Sequence, residues 1–103
     1  MKIRGKKNRP RVYIFKSNKH IYAHVIDDHN KKILTTSSSL SLEIKKQTNE
    51  FANCKVAKLI GKNIAIKLKE LGISQIIFDR GHNTYHGQIK ELAEAARSEG
   101  IKF

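Results

Sequence analysis

Apolar residues alternate with polar or aromatic ones from Arg11 onward. In "RVYIF", Val12 and Ile14 fall on one side of an extended strand, and Tyr13 and Phe15 on the other. "HIYAHVID" repeats the pattern, with Ile21, Ala23 and Val25 opposite Tyr22, His24 and Ile26. "KSNK", Lys16 to Lys19, lies between them and suits a tight turn, so the two runs predict a hairpin. "HNKK", His29 to Lys32, marks a second turn, and "ILTTSS" a third strand. Within the polar "SSSLSLEIKKQTNE", a short helix is expected at Leu40 to Gln47, with Ser39 as its cap. The period then changes. Val56, Ile60, Ile64, Leu68 and Leu71 recur at spacings of four and three, which predicts a helix from Phe51 to Leu71. Gly61 lies on the flank of that stripe, where a missing side chain permits close packing, and Gly72 ends the helix. "QIIFD" reads as a short buried strand. Ile89, Leu92, Ala93 and Ala96 define a last amphipathic helix, ending near Gly100.

The predicted order is strand, strand, strand, helix, strand, helix. This is an α/β (α+β) fold: a three-stranded antiparallel meander followed by helix-strand-helix, giving a mixed four-stranded sheet with helices on one face. If the helices cover Val12, Ile14, Ile21, Ala23 and Val25, the other face shows Tyr13, Phe15, Tyr22 and His24, flanked by Arg11, Lys16 and Lys19. Rings interleaved with cations suit nucleic acid, because rings stack on bases or riboses and cations pair with phosphates. Met1 to Pro10 shows no periodicity and reads as a basic extended arm, mobile when free, leaving residues 11–103 as a single domain.

Charge sharpens this. The chain has 103 residues and a formal net charge of +12. The first 26 residues hold eight Lys and Arg and no acid. A polyanion partner follows, nucleic acid or an anionic surface. No apolar run is long enough to span a bilayer, and "MKIRGKKNRPRV" lacks the apolar core of a secretory signal. The single cysteine, Cys54, cannot form an internal disulfide and reads as a small helix residue.

The densest chemistry lies in "FDRGHNTYHG", Phe78 to Gly87. A metal reading would use Asp79, His82 and His86, but the glycines with Asn83 and Thr84 argue for a loop over the helix that His82 and His86 would need. A catalytic reading would pair Asp79 with His86, but no motif of fixed spacing supplies a nucleophile. We therefore expect no catalytic residue, metal, cofactor or small-molecule substrate. A binding reading uses the residues better. Asp79 fixes the loop by accepting backbone N–H bonds or by holding Arg80, and Gly81 and Gly87 allow close backbone approach. The start of the last helix seats a phosphate.

"RPRVYIFKSNKHIYAHVID", "FDRGHNTYHGQIKELAEAAR" and the closing "EGIKF" together resemble the large-subunit ribosomal protein eighteen family, bacterial and organellar type, from about Arg4 to Phe103. The resemblance implies a non-enzymatic constituent of the large ribosomal subunit that binds 5S rRNA in the central protuberance. Its implied partners are 5S rRNA, large-subunit rRNA and neighbouring ribosomal proteins, with no membrane. The family's contacts transfer onto Arg9, Arg11, Lys16, Ser17, Asn18, Lys19, His20 and Tyr22, and onto Arg80, Tyr85, His86 and Gly87 in the loop. The arm adds Lys2, Arg4, Lys6 and Lys7. The chain departs from the family where His82 and Asn83 replace a frequent Gly and aromatic, and where Gln88 replaces a frequent Arg. Many bacterial members also carry a longer basic arm. Sixteen lysines against five arginines, with fourteen isoleucines, suggest an AT-rich genome; we favour a plastid origin over a bacterial one. The alternative function is an RNA-binding module acting off the ribosome.

Overall fold

The structure, a computed structural model, describes residues 9–17, 19–48 and 53–103. Asn18 and the arm cations Lys2, Arg4, Lys6 and Lys7 lie outside the described residues. The elements are β1 (Arg11–Lys16), β2 (Ile21–Asp27), β3 (Lys32–Ser38), α1 (Leu42–Lys45), α2 (Cys54–Glu70), β4 (Ile77–Asp79) and α3 (Gln88–Ser98). The sheet order is β3-β2-β1-β4. The first three strands form the expected antiparallel meander, with Val12 opposite Val25 and Ile14 opposite Ala23. β4 joins β1 in parallel, with Arg11 opposite Ile77 and Tyr13 opposite Asp79.

The alternation decides which face is buried. Val12, Ile14, Ile21, Ala23 and Val25 are inaccessible and pack with Val56, Ile60, Ile64 and Leu68 of α2 and Ile89, Leu92 and Ala96 of α3. Leu71, expected on the α2 stripe, is half exposed instead, because the helix ends before it. Gly61 is where α2 meets α3. A Cβ there would lie 2.3 Å from the Leu92 carbonyl oxygen and 2.9 Å from the Ala95 Cβ. The absent side chain therefore sets how closely the two helices approach.

Several boundaries differ from expectation. α2 starts at Cys54, because the Asn53 side chain accepts the Val56 N–H at 2.9 Å and caps the helix; Phe51, the expected start, lies outside the described residues. Cys54 is thus the exposed first residue of α2. After Leu68, the Ile73 N–H turns back to the Leu68 carbonyl and Gly72 takes φ +76°. α1 is only Leu42–Lys45, preceded by Ser41. Ser39, the expected cap, is buried and does another job: its hydroxyl accepts the Ile21 N–H and bonds the His20 ring, locking the start of β2.

Candidate nucleic-acid interface

The uncovered sheet face carries a row of rings. Tyr13 stacks on Phe15 at 5.5 Å between centroids, Phe15 on Tyr22 at 4.7 Å, and His24 meets Phe15 edge-on at 4.9 Å. Strand pairing produces this, since Phe15 lies opposite Tyr22 and Tyr13 opposite His24. All four rings are half-buried, with no helix of the described residues packed over them.

Cationic and polar groups flank the row at both ends of β1. At its C-terminal end the hairpin turn exposes Lys16, Ser17 and Lys19. The turn is closed by the Ser17 N–H donating to the His20 carbonyl at 2.9 Å. Because β4 runs parallel to β1, the Arg80–Gly87 loop leaves the sheet towards that same end. It folds onto the ring row, so that a Cβ at Gly81 would lie 3.1 Å from the Tyr13 ring. At the N-terminal end of β1, Arg9 donates to the Gln75 side chain at 2.9 Å, and the Pro10 carbonyl accepts the Ile77 N–H. The body is therefore tied down from Arg9. The two ends of β1 lie about 17 Å apart at about 3.3 Å per residue.

Asp79 organises the loop. One carboxylate oxygen accepts the Gly81 N–H at 2.9 Å. The other binds Arg11 at 2.9 Å, not Arg80. Arg11 also grips Asp28 with two donors at 3.1 Å. The Asp28 hydrogen bond, reinforced by Asp79, holds the Arg11 guanidinium's pKa above its ordinary value, although partial burial opposes this. Arg11 thus joins β1, β4 and the end of β2, with three of its nitrogens on carboxylates. Arg80, which follows Asp79 in the chain, is exposed, with its guanidinium 5.9 Å from the centre of the Tyr85 ring. Asn83 turns the loop by donating to the Arg80 carbonyl through both its backbone and its side chain. His82, Thr84 and His86 point to solvent. Among the described residues, no three His, Cys, Asp or Glu side chains cluster as a metal site. Gly87 caps α3 at φ 56°, ψ −121°, a backbone conformation open essentially to glycine alone.

Acidic groups lie mostly elsewhere. Lys58 pairs with Glu91, Lys69 with Glu99, and Lys67 with Glu43, all on the helix side. Glu43's own backbone N–H, then Lys67, hold its carboxyl below the usual range. No described helix is long and apolar enough to cross a membrane.

One part of the surface was not legible in the sequence. Between β4, the loop and the C-terminal segment lies an open groove of about 750 Å³, lined by Arg9, Arg80 and Arg97 with Phe78, Tyr85 and Phe103. Phe78 stacks on Phe103 at 5.3 Å, and Arg97 sits 4.3 Å over Phe103 while donating to the Tyr85 hydroxyl at 3.0 Å. The C-terminal segment reaches this position because Lys102 bridges to Gln75 beside β4. Arg97 and Phe103 carry no periodic or spacing signal that would mark them.

A basic mixed-sheet domain with one face under helices and the other bearing stacked rings beside an exposed cationic turn and loop belongs to the class of small α/β proteins suited to a polyanion. The comparisons name the family. The model for ribosomal L18 of archaea, bacteria, mitochondria and chloroplasts matches residues 1–103, and the chain belongs to that family of structural, non-enzymatic ribosomal proteins. The large ribosomal subunit protein uL18c of Gracilaria tenuistipitata var. liui is 57% identical over 103 residues, covering 99% of this chain and 97% of its own. That of Guillardia theta is 45% identical over 102 residues, covering 99% and 95%. The bacterial uL18 of Trichormus variabilis is 48% identical over 102 residues, covering 99% and 85%.

Proposed function

We propose that this chain is a constituent of the large ribosomal subunit that binds 5S rRNA and helps attach it to the large-subunit rRNA in the central protuberance. The observation that carries this is the ring row of β1 and β2, with the hairpin turn and the Arg80–Gly87 loop gathered at one end and Arg9 at the other. Family membership and relatives named as large-subunit proteins support it. Lys16, Ser17, Lys19 and Arg80 meet phosphates, Tyr22 and His20 line the docking face, and His86 and Gly87 present the start of α3. Asn18 and the arm residues Lys2, Arg4, Lys6 and Lys7 extend the contact along the RNA backbone. Residues 1–10 act as the arm and 11–103 as the binding body, flanked by neighbouring ribosomal proteins. A plastid location agrees with the plastid-type relatives and the lysine- and isoleucine-rich composition.

Titration of 5S rRNA at several salt concentrations tests the reading. Each phosphate neutralised on a single strand adds about −0.7 to the slope of log affinity against log salt, so a slope of several units is expected. Arg80→Ala costs about 1–3 kcal/mol of affinity through a lost charge-assisted contact, and His82→Ala costs little. A slope near zero, or a loss confined to His82→Ala, overturns the proposal.

A further inference from the structure

The groove beside β4 is not needed to explain backbone docking, yet it is built for more than a phosphate. Three arginines, Arg9, Arg80 and Arg97, line it, and among the described residues no Asp or Glu does. Phe78, Tyr85 and Phe103 each pack one side against the core and turn another to the groove. Arg97 is held in place by Phe103 beneath it and by the Tyr85 hydroxyl, so its planar fork is already oriented before anything binds. Its volume of about 750 Å³ is ample for a nucleotide.

From this we infer that the groove takes one unstacked nucleotide of the bound RNA, its base against the rings or the Arg97 plane and its phosphate on the arginine forks. This rests on the RNA-binding reading and adds a base-sized subsite to it. Two features favour a nucleotide over a peptide side chain. The groove joins a cationic rim to aromatic surface and to the exposed Arg97 guanidinium plane seated on Phe103, the two halves of nucleotide chemistry. It also adjoins the ring row, since Gly81, which lines the groove, lies against Tyr13. Duplex RNA cannot present such a base, so the subsite selects a bulge, loop or strand end.

The test uses the full chain with 5S rRNA. Short-wavelength irradiation of the complex, followed by digestion and mass spectrometry, is expected to find a nucleotide remnant on the peptide holding Phe78, Tyr85 or Phe103. Arg97→Gln and Phe103→Ala are each expected to weaken binding about tenfold, a size typical of one stacked base. Circular dichroism accompanies both variants, and the irradiation of wild type needs no variant to fold. If wild type fails to bind 5S rRNA, the proposed function falls. If it binds, but the groove peptides stay unmodified and both variants bind within twofold of wild type, this inference alone falls. Crosslinks from the groove peptides to a protein rather than to RNA in assembled large subunits also overturn it.

Discussion

Arg11, an expected RNA contact, also serves as a structural tie within the domain. It stands in the basic N-terminal stretch, yet it bonds Asp28 and Asp79 from within a part-buried site. Arg11→Ala would remove the guanidinium from two largely covered carboxylates. We expect a loss of about 1–3 kcal/mol in urea unfolding, and only partial recovery with Arg11→Lys, which lacks the fork to hold both acids. A variant as stable as wild type would refute the tie. Gly61 makes a packing argument of the same kind. Gly61→Ala puts a methyl group against the Leu92 backbone carbonyl, which cannot swing aside as a side-chain end could. α2 and α3 must part, at a cost of about 1–3 kcal/mol. The flank position of Gly61 was visible in the helical period; the partner it touches was not, because the period says nothing of the neighbouring helix.

Among the elements, the strands and long helices were legible and their ends less so. Alternation and the four-three spacing survive any local rearrangement, since they follow from the geometry of extended and helical backbone. Ends depend on which of several competent side chains reaches an N–H. The run Ser37 to Ser41 offers four serines, and burial against His20 takes Ser39 for the sheet, while the Ser41 hydroxyl accepts the Ser38 N–H. The β2–β3 turn carries a testable device. Asp27 accepts from the Asn30 side chain and from the backbone N–H groups of Asn30 and His29, with Lys31 following at φ 55°. The Asn30 side-chain bond, then the backbone bonds, lower the Asp27 pKa. A carboxyl lowered on folding stabilises fully above its ordinary range and loses that stabilisation as pH falls through the lowered value. Acid titration followed by nuclear magnetic resonance should therefore show the His29 and Asn30 amides shifting together below the ordinary carboxylate range. In Asp27→Asn that step should vanish.

On the scale of the whole molecule, chemistry is sorted by face. The helix side carries lysine–glutamate pairs, and the ring row lies on the other side beside the exposed cations of the hairpin turn. Deleting Met1 to Asn8 should weaken 5S rRNA binding and flatten its salt dependence while leaving the unfolding midpoint in place, because the core runs from Val12 to Ile101. A truncated chain that loses its folded spectrum would show that the arm belongs to the body.

The amino-acid sequence by itself determined the element order, the buried face of each strand and the excess of positive charge. Each is a property of neighbours along the chain: a two-residue period, a three-to-four-residue period, and a sum of ionised groups. Only the tertiary structure decided that Arg11 belongs to Asp28 and Asp79, that Ser39 anchors β2, and that Arg97 and Phe103 join Arg9, Arg80, Phe78 and Tyr85 around one groove. Those groupings unite residues up to 94 positions apart, from Arg9 to Phe103. They arise where β4 slots parallel to β1 and the C-terminal segment pairs beside it, long-range contacts that no local period encodes.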